Sequence, residues 1–126
     1  MIKLIALIAH DGKKDEMIEF ALRYRDALSR EQIVATKTTG GQIETALNLP
    51  VRRMLSGPMG GDLQIGALIA TDEVKAVIFL RDPLTAHPHE PDISALMKVC
   101  DTHNIPLATN IATAELIMNE IVAQRL

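Results

Sequence analysis

Apolar positions fall into two kinds of block along this chain. Leu4–Ala9 and residues 76–80 are short uninterrupted apolar runs, as expected of strands covered on both faces in a parallel sheet. Elsewhere apolar residues recur at helical spacing. Met17, Ala21, Tyr24 and Leu28 mark a helix over residues 13–30, and Ile43, Ala46 and Leu47 a short one over 42–47. Ile93, Leu96, Met97 and Cys100 mark a helix over 92–103, and Ala114, Ile117 and Ile121 a closing helix over 112–124. Residues 32–36 and 107–109 read as two further strands. Residues 51–55 carry Arg52 and Arg53, which a central buried strand would not accept, so this strand is placed at a sheet edge.

The stretch 55–62, Leu-Ser-Gly-Pro-Met-Gly-Gly-Asp, has three glycines and a proline in eight residues and must be a shaped loop. It runs into a helix over 61–71 that is apolar almost all round, with Asp62 in its first turn and Gly66 inside it as a sign of close packing. Five strands alternating with helices argue for a three-layer, doubly wound parallel α/β sheet, Rossmann-like, in the order 3-2-1-4-5. At 126 residues and 48% apolar content, residues 1–126 are expected to form one domain.

Ligands of such sheets bind beyond the carboxyl ends of the strands. That rim collects His10-Asp11, residues 36–41, residues 56–62, the proline-rich loop 81–91 with Asp92, and Thr109-Asn110. Thr38-Thr39-Gly40-Gly41 at a helix start offers unpaired N–H groups and hydroxyls to an anion, Ser56-Gly57 a second donor cluster, and Lys14 a point charge. No Gly-Lys-Ser/Thr loop or glycine-rich first turn is present, which disfavours a nucleoside triphosphate or NAD and favours a small phosphate ester.

Four acids, Asp11, Asp62, Asp82 and Asp92, share the rim with His10, His87 and His89. A desolvated carboxylate becomes a stronger base, and a neutral histidine can donate to a carbonyl oxygen. Base, electrophile and phosphate clamp together suggest enolisation of a phosphorylated ketone. The rival is a metal site from His87, His89, Asp82 and His10, which lacks HExxH or paired-cysteine spacing.

Composition narrows the partners. A net charge of −3 and a single tyrosine with two phenylalanines leave neither a basic field nor stacking platforms for nucleic acid. No apolar run approaches the ~18 residues of a membrane span, and a cytoplasmic location is expected. Cys100, alone and on an apolar helix face, reads as a buried inert thiol.

The motifs Ala9-His10-Asp11-x-x-Lys14, Thr36-x-Thr38-Thr39-Gly40, Leu55-Ser-Gly-Pro-Met-Gly-Gly-Asp62, Asp82-Pro83-Leu84 and Pro88-His89-x-Pro91-Asp92 resemble those of methylglyoxal synthase, and Asn104-Ile-Pro and Ala108-Thr-Asn extend the likeness. The resemblance covers essentially the whole chain. It implies conversion of dihydroxyacetone phosphate to methylglyoxal and inorganic phosphate without metal or organic cofactor. It makes Asp62 the catalytic base and His89 the group that polarises the carbonyl, with Asp11, Asp82 and Asp92 as an acid network. His10, Lys14, Thr36, Thr38, Thr39, Ser56 and Gly57 hold substrate, and Lys37, where family members often have glycine, is counted with them. Arg81 and His87 are less typical of the family. A homohexamer and inhibition by phosphate are also implied. The alternative is a regulatory module that binds a phosphate ligand without catalysis, similar to the effector domain of carbamoyl-phosphate synthetase.

Overall fold

The computed structural model describes residues 2–124. Its five strands are β1 (Leu4–Ala9), β2 (Gln32–Ala35), β3 (Arg52–Arg53), β4 (Val74–Leu80) and β5 (Leu107–Ala108), all parallel, in the order β3-β2-β1-β4-β5. This is the predicted doubly wound α/β sheet. The helices are α1 (Lys14–Arg23), α2 (Arg25–Leu28), α3 (Lys37–Leu47), α4 (Gly61–Ala70), α5 (Glu90–Thr102) and α6 (Ile111–Gln124).

Successive side chains of the central strand feed opposite faces, as the two-residue period of a strand requires. Ile5, Leu7 and Ala9 join Met17, Phe20, Ile43, Leu47, Ala114 and Met118, so one core lies between the sheet and α1, α3 and α6. Leu4, Ala6 and Ile8 join Ile65, Ile69, Ile93, Leu96 and Cys100 between the sheet and α4 and α5. Every residue of β1 is therefore buried, which is why its sequence shows no alternation. Cys100 is buried and free, and desolvation pushes its thiol up to about 11, the inert cysteine expected.

Several predicted boundaries move, some for tertiary and some for local backbone reasons. The helix expected over 13–30 is interrupted at Tyr24, whose backbone leaves the helical region while its hydroxyl donates to Asn119 Oδ1 on α6 at 2.9 Å. α3 begins at Lys37 rather than residue 42, so the two glycines lie inside a helix. Gly40 is there for clearance, because a Cβ would stand 2.6 Å from Arg53 Cγ on β3. Asn48, at φ 55°, closes α3 in the left-handed region. α5 starts at Glu90, two residues early, because Pro91 fits the first helical turn where its missing N–H has no partner to lose.

Gly66 does not mark close packing. A Cβ there meets nothing within 4 Å, so Gly66→Ala is expected to stabilise the protein by about 1 kcal/mol through helix propensity, read as a higher urea midpoint with unchanged slope. A lower midpoint would show that the space is used.

Candidate active site

At the carboxyl ends of β1, β2 and β4 the chain leaves a cavity of about 200 Å³, lined by residues of the first turn, the start of α3, the glycine loop and the loop before α5. The glycine loop is tied down by its own backbone. Ser56 O accepts from Met59 N at 3.0 Å and Gly61 N at 2.9 Å, Gln64 Oε1 accepts from Leu55 N at 2.8 Å, and Gly60 turns the chain at φ 104°. α4 therefore starts at a fixed place and delivers Asp62 to the cavity floor.

Asp62 is 1% exposed, and neither carboxylate oxygen has a hydrogen bond within the protein. His89 Nε2 lies 3.4 Å from its Oδ2. Desolvation raises the Asp62 pKa above the ordinary carboxylate value; attraction to His89 opposes this and repulsion from Asp92 adds to it. The result is a carboxylate that gains by taking a proton. Gly57 leaves room for this pair, since a Cβ there would stand 3.0 Å from His89 Nε2 and 3.4 Å from both Asp62 oxygens.

His10 is oriented by a backbone donor: the N–H of Asp82 points at its Nδ1, 2.8 Å away. With Nδ1 accepting, a neutral ring carries its proton on Nε2, which is buried and has no protein partner. Desolvation, then repulsion from His87, His89 and Arg81, lowers the His10 pKa to about 4. Near neutral pH His10 is thus an uncharged donor. Because unfolding restores the ordinary value of 6.5, the unfolded chain binds a proton that the folded one refuses between pH 6.5 and 4, and stability falls as pH drops through that window. His10→Gln is expected to flatten this part of a urea-midpoint profile against pH; an unaltered slope would reject the burial of a neutral ring.

The cationic contribution comes from Lys14, whose ammonium donates to Ala9 O at 2.6 Å and lies 3.3 Å from Asp11 Oδ1. Thr36 and Ser56 sit at helix-start positions without using their hydroxyls as caps, which leaves both free for a ligand. The first turn of α3 adds backbone N–H groups without intrahelical acceptors.

Cavity-lining residues include His10, Asp11, Lys14, Thr36, Thr38, Ser56, Gly57, Asp62 and His89. Four other residues expected at the site stand elsewhere. Lys37, expected against substrate, is exposed and lines an outer groove between α1 and α3, because the helix turns it away from the rim. Thr39 is buried in α3 and does not line the cavity. Asp82 is spent on its own loop, accepting from Leu84 N at 3.2 Å and Thr85 Oγ1 at 2.7 Å, and these bonds lower its pKa. Asp92 stays off the cavity wall and acts on Asp62 only through its charge.

The acids are therefore not one crowded network. Of the ligand set considered for a metal, the three imidazoles lie near one another, but Asp82 is bonded within its loop, His10 Nδ1 is occupied, and among the described residues no group of three His, Cys, Asp or Glu is placed to hold an ion. Asn110 at the rim is a helix cap, its Oδ1 accepting from Thr113 N at 3.0 Å. Phe79 and Pro58 also line the cavity; Phe79 meets His10 edge-on at 5.0 Å. Their apolar character gave no sequence signal that separated them from core or turn residues.

Threonine and serine hydroxyls, a lysine and a buried acid–imidazole pair thus share one cavity at the rim of a 3-2-1-4-5 sheet, and residues 16–109 match the family of the MGS-like domain. The chain is 62% identical over 117 residues to the methylglyoxal synthase of Cupriavidus metallidurans, covering 93% of this chain and 84% of that protein. It is 59% identical to that of Thermus thermophilus, covering 93% of each. The crystal structure of methylglyoxal synthase from Elizabethkingia anophelis superposes with a TM-score of 0.87 at 42% identity, over 93% of this chain and 77% of that one. This chain belongs to the methylglyoxal synthase family.

Proposed function

We propose that this chain is a carbon–oxygen lyase that converts dihydroxyacetone phosphate to methylglyoxal and inorganic phosphate. The observation that carries the chemistry is the buried Asp62 carboxylate, without hydrogen bonds and 3.4 Å from His89, facing a cavity with Lys14 on its wall. A module that only binds phosphate has no use for such a carboxylate, whose desolvation costs stability.

Asp62 takes a proton from substrate carbon, and the electron pair of that C–H bond forms an enediolate. His89, with the neutral His10 as a second donor, hydrogen-bonds the oxygen on which charge develops. Collapse of the enediolate breaks the C–O bond to phosphate, and the released enol gains a proton at carbon to become methylglyoxal. Lys14, Thr36, Thr38, Ser56 and Gly57 hold the phosphoryl group. Elimination requires the C–O bond to lie along the enediolate π system, so the clamp on both the α3 start and the glycine loop sets this torsion. An inhibitor complex with that bond in the enediolate plane would reject the assignment.

The deciding experiment treats purified protein with chelator and follows methylglyoxal and phosphate together from dihydroxyacetone phosphate. Equal amounts of both establish the lyase; binding without turnover refutes it. Lys14→Ala is expected to raise KM about tenfold, the loss of one charge-assisted contact, with a smaller effect on kcat. Unchanged affinity for substrate analogues would remove Lys14 from the clamp.

Residues 1–126 act as one such domain in this reading, which includes a homohexamer, inhibition by phosphate and a cytoplasmic location. Among the described residues no helix is long and apolar enough to cross a membrane. Exposed Leu55, Met59, Leu63 and Leu84 near the glycine loop and the loop after β4 support association. A light-scattering mass of a single chain would rule the hexamer out.

A further inference from the structure

His87 belongs to the long loop before α5, and the lyase chemistry above leaves it without a role. Its ring nevertheless stacks on that of His10, with centroids 3.7 Å apart and planes 24° from parallel. His89 stands 5.7 Å away with its ring plane at 73° to that of His87. His87 lines the cavity, and its Nε2 is buried without a partner.

His10 is thereby held from three directions. The Asp82 N–H fixes its Nδ1, Phe79 meets it edge-on, and His87 covers one face. Without the third contact the ring keeps its hydrogen bond from Asp82 and the perpendicular rings of Phe79 and His89, but one of its faces is left uncovered. We propose that His87 is a positioning residue, whose imidazole clamps His10 by stacking so that Nε2–H is presented to the substrate oxygen in one orientation. The kinetic consequence rests on the lyase reading; the clamp itself does not.

The charged and titratable groups around His10 are His87 and His89 from the loop, and Arg81 and Asp82 from the end of β4. His87 in turn faces His10, His89 and the Asp82 carboxylate. His87 is the largest charge contribution holding His10 neutral, after burial itself.

His87→Leu removes the flat ring, whereas His87→Phe keeps a face to stack. Two readouts are needed. In the unliganded protein, both variants remove the His87 charge and keep an apolar cover, so the His10 titration is expected to move alike in both, while the His10 ring orientation, followed by NMR contacts to Phe79, is expected to be kept in His87→Phe and lost in His87→Leu. In turnover, His87→Leu is expected to lower kcat about tenfold with KM changed less than about threefold, and His87→Phe to recover most of the loss. A wild-type His10 ring orientation and kcat in His87→Leu would overturn the clamp, as would a Phe variant as impaired as Leu. If unsubstituted protein turns over no dihydroxyacetone phosphate while His10 still responds as described, the lyase reading falls and the clamp stands.

Discussion

Asp62→Asn is expected to abolish turnover and to make the protein more stable. An amide cannot accept the carbon-bound proton, so kcat should fall by about a thousandfold or more, at the upper part of the range for lost general-base catalysis. The substitution is nearly isosteric, and affinity for a phosphate-ester analogue should stay within about tenfold, ~1.4 kcal/mol.

The stability effect has the opposite sign because Asp62 is buried without hydrogen bonds, and desolvation is the largest cause of its raised pKa. The folded state then binds the proton more tightly than the unfolded chain. The ionised carboxylate destabilises the fold as pH rises from the unfolded value of 3.8 through the folded one. Removing it should add about 1 kcal/mol at neutral pH, with the gain shrinking toward pH 3.8. Urea midpoints across this pH range test the point. A variant with comparable activity rejects Asp62 as the base, and a less stable one shows that attraction to His89 outweighs desolvation.

Gly61→Ala should be the most damaging single methyl in the glycine loop. A Cβ there would lie 1.9 Å from Leu55 O and 2.9 Å from Ser56 O, both backbone atoms. Ser56 O is already engaged by the N–H of Gly61, so relief means opening the turn that carries Ser56, Gly57 and Asp62. A loss of about 3 kcal/mol is expected, with activity falling further than stability explains, since the base and the phosphate donors move together. Gly60→Ala is the informative comparison. Gly60 has φ 104° but nothing within 4 Å of a Cβ, so only the left-handed conformation opposes it, costing about 1–2 kcal/mol. Equal effects at the two positions would mean that conformation, not the clash, controls the loop.

Much of this was legible in the chain. The apolar runs 4–9 in β1 and 76–80 in β4 read as central strands and the paired arginines of β3 as an edge, a pattern compatible with the 3-2-1-4-5 order that the sheet has. Topology then decided which loops share a rim, and with them the neighbourhood of His10, Lys14, Thr36, Ser56, Asp62 and His89. These features follow from local hydrophobic pattern and from the handedness of crossovers, both carried by sequence.

Direction within that neighbourhood was decided only by tertiary packing. Lys37 and Thr38 are adjacent in sequence, yet only Thr38 reaches the cavity, because α3 begins five residues earlier than its apolar spacing signals. Asp82 looked like one more acid for the network, but hydrogen bonds from Leu84 and Thr85 turn its carboxylate into the loop and leave its N–H to orient His10. The stacking of His87 on His10 joins the end of β1 to a loop more than seventy residues later, a contact that no periodicity encodes. Sequence thus determined which groups assemble at the rim, through burial and chain topology. The structure alone determined which way each one faces, because side-chain direction depends on contacts between segments that are remote along the chain.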